Sequence, residues 1–266
     1  MIETKNLCVS ISSKQIIENI DFVARPGEVT AIVGPNGSGK TTLLRALSGD
    51  LSYTGSAYLD GEDFIEIKPW RMAARRAVLP QASALSFPFT VREIVHIGLT
   101  GGFSGVTGAE QERLPDLALQ KVDLTGFSGR LYQELSGGEQ QRVQLARVLC
   151  QVWKPVVDSK PRYLFLDEPI SSLDVKHQIT VMEIAREFAA AGGGVIAILH
   201  DLNLTAMFAD SIAVMHKGRL DTIGTPQHAL TDDRLKRVYE CSLRVGVPPA
   251  KGAPFVLPQS AYAAAP

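Results

Sequence analysis

Short apolar runs alternate along this chain with stretches in which apolar residues recur at helical spacing. "VTAIVG" (29–34), "RYLFLD" (162–167) and "GVIAILH" (194–200) are almost wholly apolar, the pattern of strands buried on both faces. A glycine-rich loop follows the first run, and then the helical pattern "KTTLLRALSG", ending at Gly49. Between the other two, "VKHQITVMEIAREFAAAG" carries Ile179, Met182, Ile184 and Phe188 at roughly helical spacing and closes at Gly192. Strand, helix and strand with buried strands predict a mostly parallel α/β sheet.

Other segments depart from that pattern. "IIENIDFVARPGE" and "SAYLDGE" read as short strands with turns, an antiparallel β flank. Residues 85–135 hold helical stretches such as "TVREIVHIGL" and "PDLALQKV" without a strong strand, which predicts an inserted helical subdomain. "SIAVMHKGRLDTIGTP" signals a hairpin around Lys217-Gly218. Beyond it, a C-terminal extension (242–266) offers a small Pro-edged hairpin in "LRVGVPPAKGAPFVLP" and a loose end in "QSAYAAAP". All of this fits within a single domain, 1–266.

Charge narrows the functional classes. Lys plus Arg (27) against Asp plus Glu (28) gives a net charge of -1, which argues against bulk-charge binding of nucleic acid. The longest apolar run falls short of the ~20 residues that span a bilayer. "MIETKNLCVS" lacks the apolar core of a signal peptide, so a soluble, cytosolic chain is expected. Cys8, Cys150 and Cys241 fit no metal-ligand spacing and are expected to be buried, reduced thiols.

Chemistry concentrates in three places. "GPNGSGKT" fits G-x-x-x-x-G-K-[ST] between a buried strand and a helix. Gly34, Pro35, Asn36, Gly37, Ser38 and Gly39 let backbone N–H groups turn inward on phosphate oxygens. Lys40 reaches the β/γ-phosphates, the Thr41 hydroxyl can hold Mg2+, and Thr42 is counted among the nucleotide-binding residues. A nucleotide is the expected ligand.

The second place is "FLDEPISSLD", where two adjacent anions end a hydrophobic strand. Ligands of an α/β sheet sit at the carboxyl ends of its strands. Asp167 can therefore face the same crevice and hold Mg2+, while Glu168 lies near the γ-phosphate and can polarise a water. The third is "LSGGEQQRVQLARVL", a second anion-binding helix end, with the helix opening at Glu139. Its periodicity buries Val143, Leu145, Ala146 and Leu149 and exposes Gln141, Arg142 and Gln144.

Taken in order, "GPNGSGKT", Gln81, "LSGGEQ", "YLFLDEP", "SSLD" and His200 closely resemble the ATP-binding-cassette (ABC) ATPases, whose signature is LSGGQ. The resemblance covers nearly the whole chain and implies a P-loop NTPase core with ATP and Mg2+ as ligands. It further implies a head-to-tail homodimer in which each ATP lies between one subunit's cradle and Ser136, Gly137, Gly138 and Glu139 of the other. Asp174 would cross that interface, Gln81 would contact Mg2+ and water, and His200 would bind the γ-phosphate and orient the water with Glu168. Family members usually stack an aromatic ring on adenine. Here Val9 or Ile11 stands at that place, so adenine would be held by aliphatic contact alone.

The resemblance also implies a motor peripheral to the cytoplasmic face of the plasma membrane, working with two permease subunits and indirectly with a periplasmic substrate-binding protein. Leu85, Phe87 and Phe89 around Pro88 lie where the family's coupling-helix groove is, although Phe89 also fits a subdomain core. Residues 81–100 and the spacer "CQVWKPVVDSKPRYLFLDEP", expected to form a surface loop, resemble haemin importer ATPases of the siderophore and cobalamin importer group. Ferric-siderophore or cobalamin import stays open as an alternative, as does an ATP switch without transport.

Overall fold

The computed structural model describes residues 1–81, 87–248, 252 and 254–262. Along the chain come β1 (Ile2–Ile11), β2 (Lys14–Ile20), β3 (Val23–Ala24), β4 (Val29–Val33), α1 (Lys40–Leu47), β5 (Thr54–Leu59) and β6 (Glu62–Asp63). Next are α2 (Pro69–Arg75), β7 (Arg76–Leu79), α3 (Val91–Ile97), α4 (Ala109–Lys121) and α5 (Gly137–Gln151). After β8 (Val156–Val157) and β9 (Lys160–Pro161) follow β10 (Tyr163–Asp167), α6 (Val175–Ala190), β11 (Gly194–Ile198) and α7 (Leu202–Phe208). β12 (Ser211–His216), β13 (Arg219–Gly224), α8 (Pro226–Ala229) and α9 (Asp232–Tyr239) complete the series.

The central sheet runs β13-β12-β4-β11-β10-β7, with β13 antiparallel at one edge and the other strands parallel. β4, β10 and β11 are buried at every position. Their side chains alternate between two cores, as a period of two requires. Ala31, Val33, Leu164, Leu166, Val195 and Ala197 join the core shared with α3 to α6. Ile32, Tyr163, Phe165, Ile196 and Ile198 join the core with α1 and the antiparallel sheet β2-β1-β5-β6. Register then decides where the chemistry goes. Asp167 pairs with Ile198, and Ile198 pairs with Ile32, so the ends of β4, β10 and β11 lie level. Gly34, Asp167, Glu168 and His200 leave the sheet from that one edge.

The parallel core, the antiparallel flank and the Lys217-Gly218 hairpin agree with the sequence pattern. Four expectations do not hold. The spacer before β10 is no plain loop, because β8 and β9 pair across Asp158 and Ser159, both at positive φ (50° and 59°). No strand forms among the described residues of the C-terminal extension. Pro258–Tyr262 is instead a 3-10 turn, and Tyr262 packs edge-on against Phe208 at 6.5 Å with its hydroxyl on Glu183. Of the "QSAYAAAP" tail, 263–266 lie outside the described residues, as does the middle of the proposed hairpin at 249–251 and 253. Only Cys150 is a buried thiol, since Cys8 is half-buried and Cys241 is exposed. Leu85 also lies outside the described residues.

Candidate active site

Gly39 starts α1 in the left-handed conformation (φ 98°) with no side chain capping the helix. The first-turn N–H groups of α1 therefore point out of the helix end toward whatever the loop encloses, the setting that favours an anion. A Cβ at Gly39 would come within 2.6 Å of Ile17, so only glycine lets β2 pack this close to the loop. Lys40 is nearly buried, and its Nζ donates to Gly34 O (2.9 Å) and Pro35 O (3.0 Å), curling the loop around the ammonium. Burial lowers the Lys40 pKa, against the pull of Glu168 and Asp167.

Asp167 is 5% exposed and accepts a hydrogen bond from Thr41 Oγ1 at 3.4 Å. Burial raises its pKa, and the neighbouring charge of Glu168 adds to the shift, while Thr41, Lys40 and His200 oppose it. A buried carboxylate beside a hydroxyl is an oxygen donor set that lacks a full cationic partner. It fits Mg2+, which takes one or two protein oxygens and completes its shell from phosphate and water. Glu168 stands in the left-handed region (φ 52°), a conformation that costs a non-glycine residue about 1–2 kcal/mol. Gln141 Nε2 (2.9 Å) and Ser171 Oγ (3.2 Å) both donate to its carbonyl and hold it there. The turn aims its carboxylate at His200, with Oε1 2.8 Å from Nε2.

Asn36, Gly37, Gly39, Lys40, Thr41, Thr42, Gln81, Glu168 and His200 thus share one cleft of about 710 Å3, with Ile16 as its apolar wall. Gly34, Pro35, Ser38 and Asp167 are not among its lining residues. Ile16 lines this cleft, whereas Val9 and Ile11, the two residues expected beside the base, do not. Val9 is 1% exposed in the core, and Ile11 lies at the hairpin tip. Ser12 and Ser13, both at positive φ, reverse the chain in two residues, so β2 rather than β1 presents its aliphatic side chain to the loop. Nothing in the sequence period distinguishes Ile16 from Ile17, whose side chain is wholly buried.

A second cleft, of about 450 Å3, is built from Ser136, Gly137, Gly138 and Glu139 with Arg142, residues 172–174 and His177. It shares no lining residue with the first. The helix opens at Gly137, two residues before the expected start, because Ser136 is the N-cap of a full capping box. Glu139 N donates to Ser136 Oγ (3.3 Å), and Ser136 N and Oγ both donate to Glu139 Oε2 (2.7 Å each). Those bonds hold the Glu139 carboxyl below the usual range. Asp174 caps α6 in the same cleft, and the His177 N–H likewise lowers its pKa. Arg142 and Gln144, expected on the exposed face of α5, are buried at 7% and 3% exposure. Neighbours on more than one side leave α5 no full solvent face. Arg142 donates to the carbonyls of Val122 and Asp123, and Gln144 to the Tyr132 hydroxyl. Gln141 is half-buried and reaches Glu168 O, a role that periodicity gives no sign of.

A family profile described as "ABC transporter" matches residues 17–171. The chain is 65% identical over 260 residues to a hemin import ATP-binding protein, HmuV, of Mesorhizobium japonicum, covering 98% of this chain and 99% of that one. It is 58% identical over 261 residues to the protein of that name from Chelativorans sp., with 98% and 99% covered. For the one from Rhizobium meliloti the identity is 55% over 262 residues, with the same coverage. Among solved structures, an ATP-binding subunit of an ABC transporter superposes with a TM-score of 0.75 at 24% identity, covering 91% of this chain and 94% of that one. The ADP conformation of another ATP-binding cassette also gives 0.75, at 23% identity, covering 90% and 98%. At these identities the superpositions speak for the fold alone.

Proposed function

This chain belongs to the ABC transporter family of ATP-hydrolysing subunits, and from that membership we propose that it powers the import of haem through a pair of membrane permeases. Membership implies ATP and Mg2+ as ligands and a multisubunit importer as the setting. For hydrolysis, the carrying observation is the 2.8 Å contact between His200 and Glu168 at the mouth of the phosphate cradle. The cargo reading draws on the near end-to-end similarity to proteins named for hemin import.

In the proposed mechanism, the N–H groups of the loop and of the start of α1 bind the β- and γ-phosphates, and Lys40 turns its ammonium from the loop carbonyls onto them. Mg2+, held by Thr41 and Asp167 with Gln81 at hand, would supply charge neutralisation on the phosphate oxygens when bound. Glu168 accepts a proton from the attacking water, and His200 holds the carboxylate in line and donates to the γ-phosphate. Ser136, Gly137, Gly138, Glu139 and Asp174 form a separate cleft, and we assign them to the ATP of a second copy, so that two subunits close head to tail. We assign residues 87–135 to a helical subdomain that faces the membrane partner, and the chain sits peripherally on the cytoplasmic side.

Phe87 is 69% exposed and tilts over Phe89 at 6.2 Å, while Phe89 packs on the core. An exposed aromatic of this kind suits a docking contact. Phe87→Asp should spare the ATPase of the free subunit and stop both co-purification with the permease and uptake. Loss of basal turnover as well would make Phe87 a core residue. With its permease and a periplasmic binding protein, the transporter should take up haem and neither ferric siderophores nor cobalamin. Uptake of one of those instead would reassign the cargo and leave the ATPase mechanism standing.

A further inference from the structure

We propose that Gln141 is a positioning residue that makes Glu168, the base proposed for one cleft, respond to nucleotide in the other. The two clefts of a chain share no lining residue. Gln141 joins them nonetheless. It lies four residues after Gly137 and three after Gly138, so it shares their face of α5 one turn further on. Its Nε2 donates to the Glu168 carbonyl at 2.9 Å, and its Oε1 is buried without a hydrogen-bond partner among the described residues. A buried amide with one polar atom idle carries a desolvation cost that an apolar side chain would not. The bond to Glu168 is what sets this amide apart from plain packing.

Glu168 is the residue on which such a link has leverage. Its left-handed backbone (φ 52°) persists only because its surroundings hold it. Of the side chains that donate to its carbonyl, Ser171 belongs to the same turn, and only Gln141 comes from another element. Rotation of that peptide would carry the carboxylate away from His200, 2.8 Å distant. A second contact runs beside the first. A Cβ at Gly138 would meet Ser172 O at 3.0 Å, so the missing side chain lets α5 press on the segment that follows Glu168. α5 runs unbroken from Gly137 to Gln151, and a shift of its first turn is carried to Gln141. In the head-to-tail dimer, on which this inference rests, that first turn closes on the ATP of the second copy. Glu168 serves the ATP of its own chain. Gln141 thus passes the state of the neighbouring site to the local base, a coupling between two ligand sites.

Two mixed dimers, each with one hydrolysing chain, separate this link from plain support of Glu168. In one the silent partner is Glu168→Gln, which keeps its ATP. In the other it is Lys40→Ala, at an ATP concentration that fills only the intact cradle. The single-turnover rate of the hydrolysing chain should be higher beside the loaded partner. Gln141→Met in the hydrolysing chain should shrink that ratio about three- to tenfold, the span of one neutral hydrogen bond. Nucleotide affinity of the single subunit and melting temperature should stay nearly unchanged, and Gln141→Leu is the second variant should methionine disturb packing. Ser171→Ala cuts the other bond to the same carbonyl without touching α5, so it should slow turnover and leave the ratio at its wild-type value. Turnover lowered equally beside either partner in both Gln141 variants makes Gln141 a mere support of Glu168 and overturns the proposal. A wild-type rate that is the same beside either partner also overturns it and leaves the dimer standing. Full hydrolysis beside a partner carrying Ser136→Arg overturns the head-to-tail reading, and the link with it.

Discussion

The two helix ends proposed to bind phosphate are built in opposite ways. α1 begins at a left-handed glycine with no side-chain cap and has Lys40 folded over its mouth. α5 begins at Ser136, whose hydroxyl and N–H are both engaged by the carboxylate of Glu139. The first end is an open ring of donors with a cation beside it. The second is satisfied internally and carries an anion. A helix end built to seize phosphate unaided should look like α1, and one that meets phosphate only when another subunit delivers it can afford the arrangement at α5. The groups proposed for catalysis divide the same way, since Glu168, His200 and Gln81 share the cleft of α1 and none of them lines the cleft of α5.

The largest effect should come from the catalytic side of this comparison. Glu168→Gln keeps the shape but cannot take a proton, so turnover of the isolated protein should fall by roughly 10²–10⁴ while ATP still binds. Gel filtration should then show an ATP-bound dimer, and unchanged turnover would remove Glu168 from the reaction. Ser136→Arg tests the other end. Its stem would fill the second cleft, with Glu139 and Asp174 beside it to hold the guanidinium. Turnover should drop on the order of 10²-fold, some 3 kcal/mol of lost closure, with nucleotide affinity of the single subunit intact. Lys40→Ala should do the reverse, weakening nucleotide affinity about 10- to 100-fold by loss of a charged hydrogen bond.

Asp167→Asn is the subtlest of the set. Burial puts the folded-state pKa of Asp167 above its unfolded value, so ionisation costs stability. The contribution is full below the unfolded pKa and is lost as pH rises through the folded one, so the cost is present at neutral pH. The Asn variant should therefore melt higher at pH 7, by about 2–4 °C for each kcal/mol relieved, while losing Mg2+-dependent turnover. An unchanged or lower melting temperature would mean that Thr41 and Lys40 already compensate the charge.

How far each end could be read from residues alone follows from the same contrast. The cradle is legible because its chemistry demands an unusual spelling. Gly37 and Gly39 take positive φ in a loop that ends on Lys40 and Thr41, and "VTAIVG" before it can only be a buried strand. At α5 the local spelling, Ser followed three residues later by Glu, is an ordinary capping box. Only the order of motifs along the whole chain marked it out. Arg142 and Gln144 escaped the helical period because α5 meets neighbours on more than one side, and a period reports one buried face. That Ile16, and not Val9 or Ile11, lines the first cleft could not be read without the Ser12-Ser13 turn, which sets the hairpin register. β7 has four residues and takes its place from pairing with β10 rather than from any pattern of its own.

The central claim is that one subunit's open end and the other subunit's closed end make a single ATP site. Two purified heterodimers, each carrying one Lys40→Ala and one Ser136→Arg, test it directly through their rates of ATP hydrolysis. In the first, the substitutions sit on different subunits, so sites shared between subunits leave one site complete and one doubly damaged. In the second, both substitutions sit on one subunit beside a wild-type partner, and each shared site is then damaged once. The first should hydrolyse ATP well above either homodimeric variant, and the second should not. Activity in the second and none in the first would mean that each chain completes its own site.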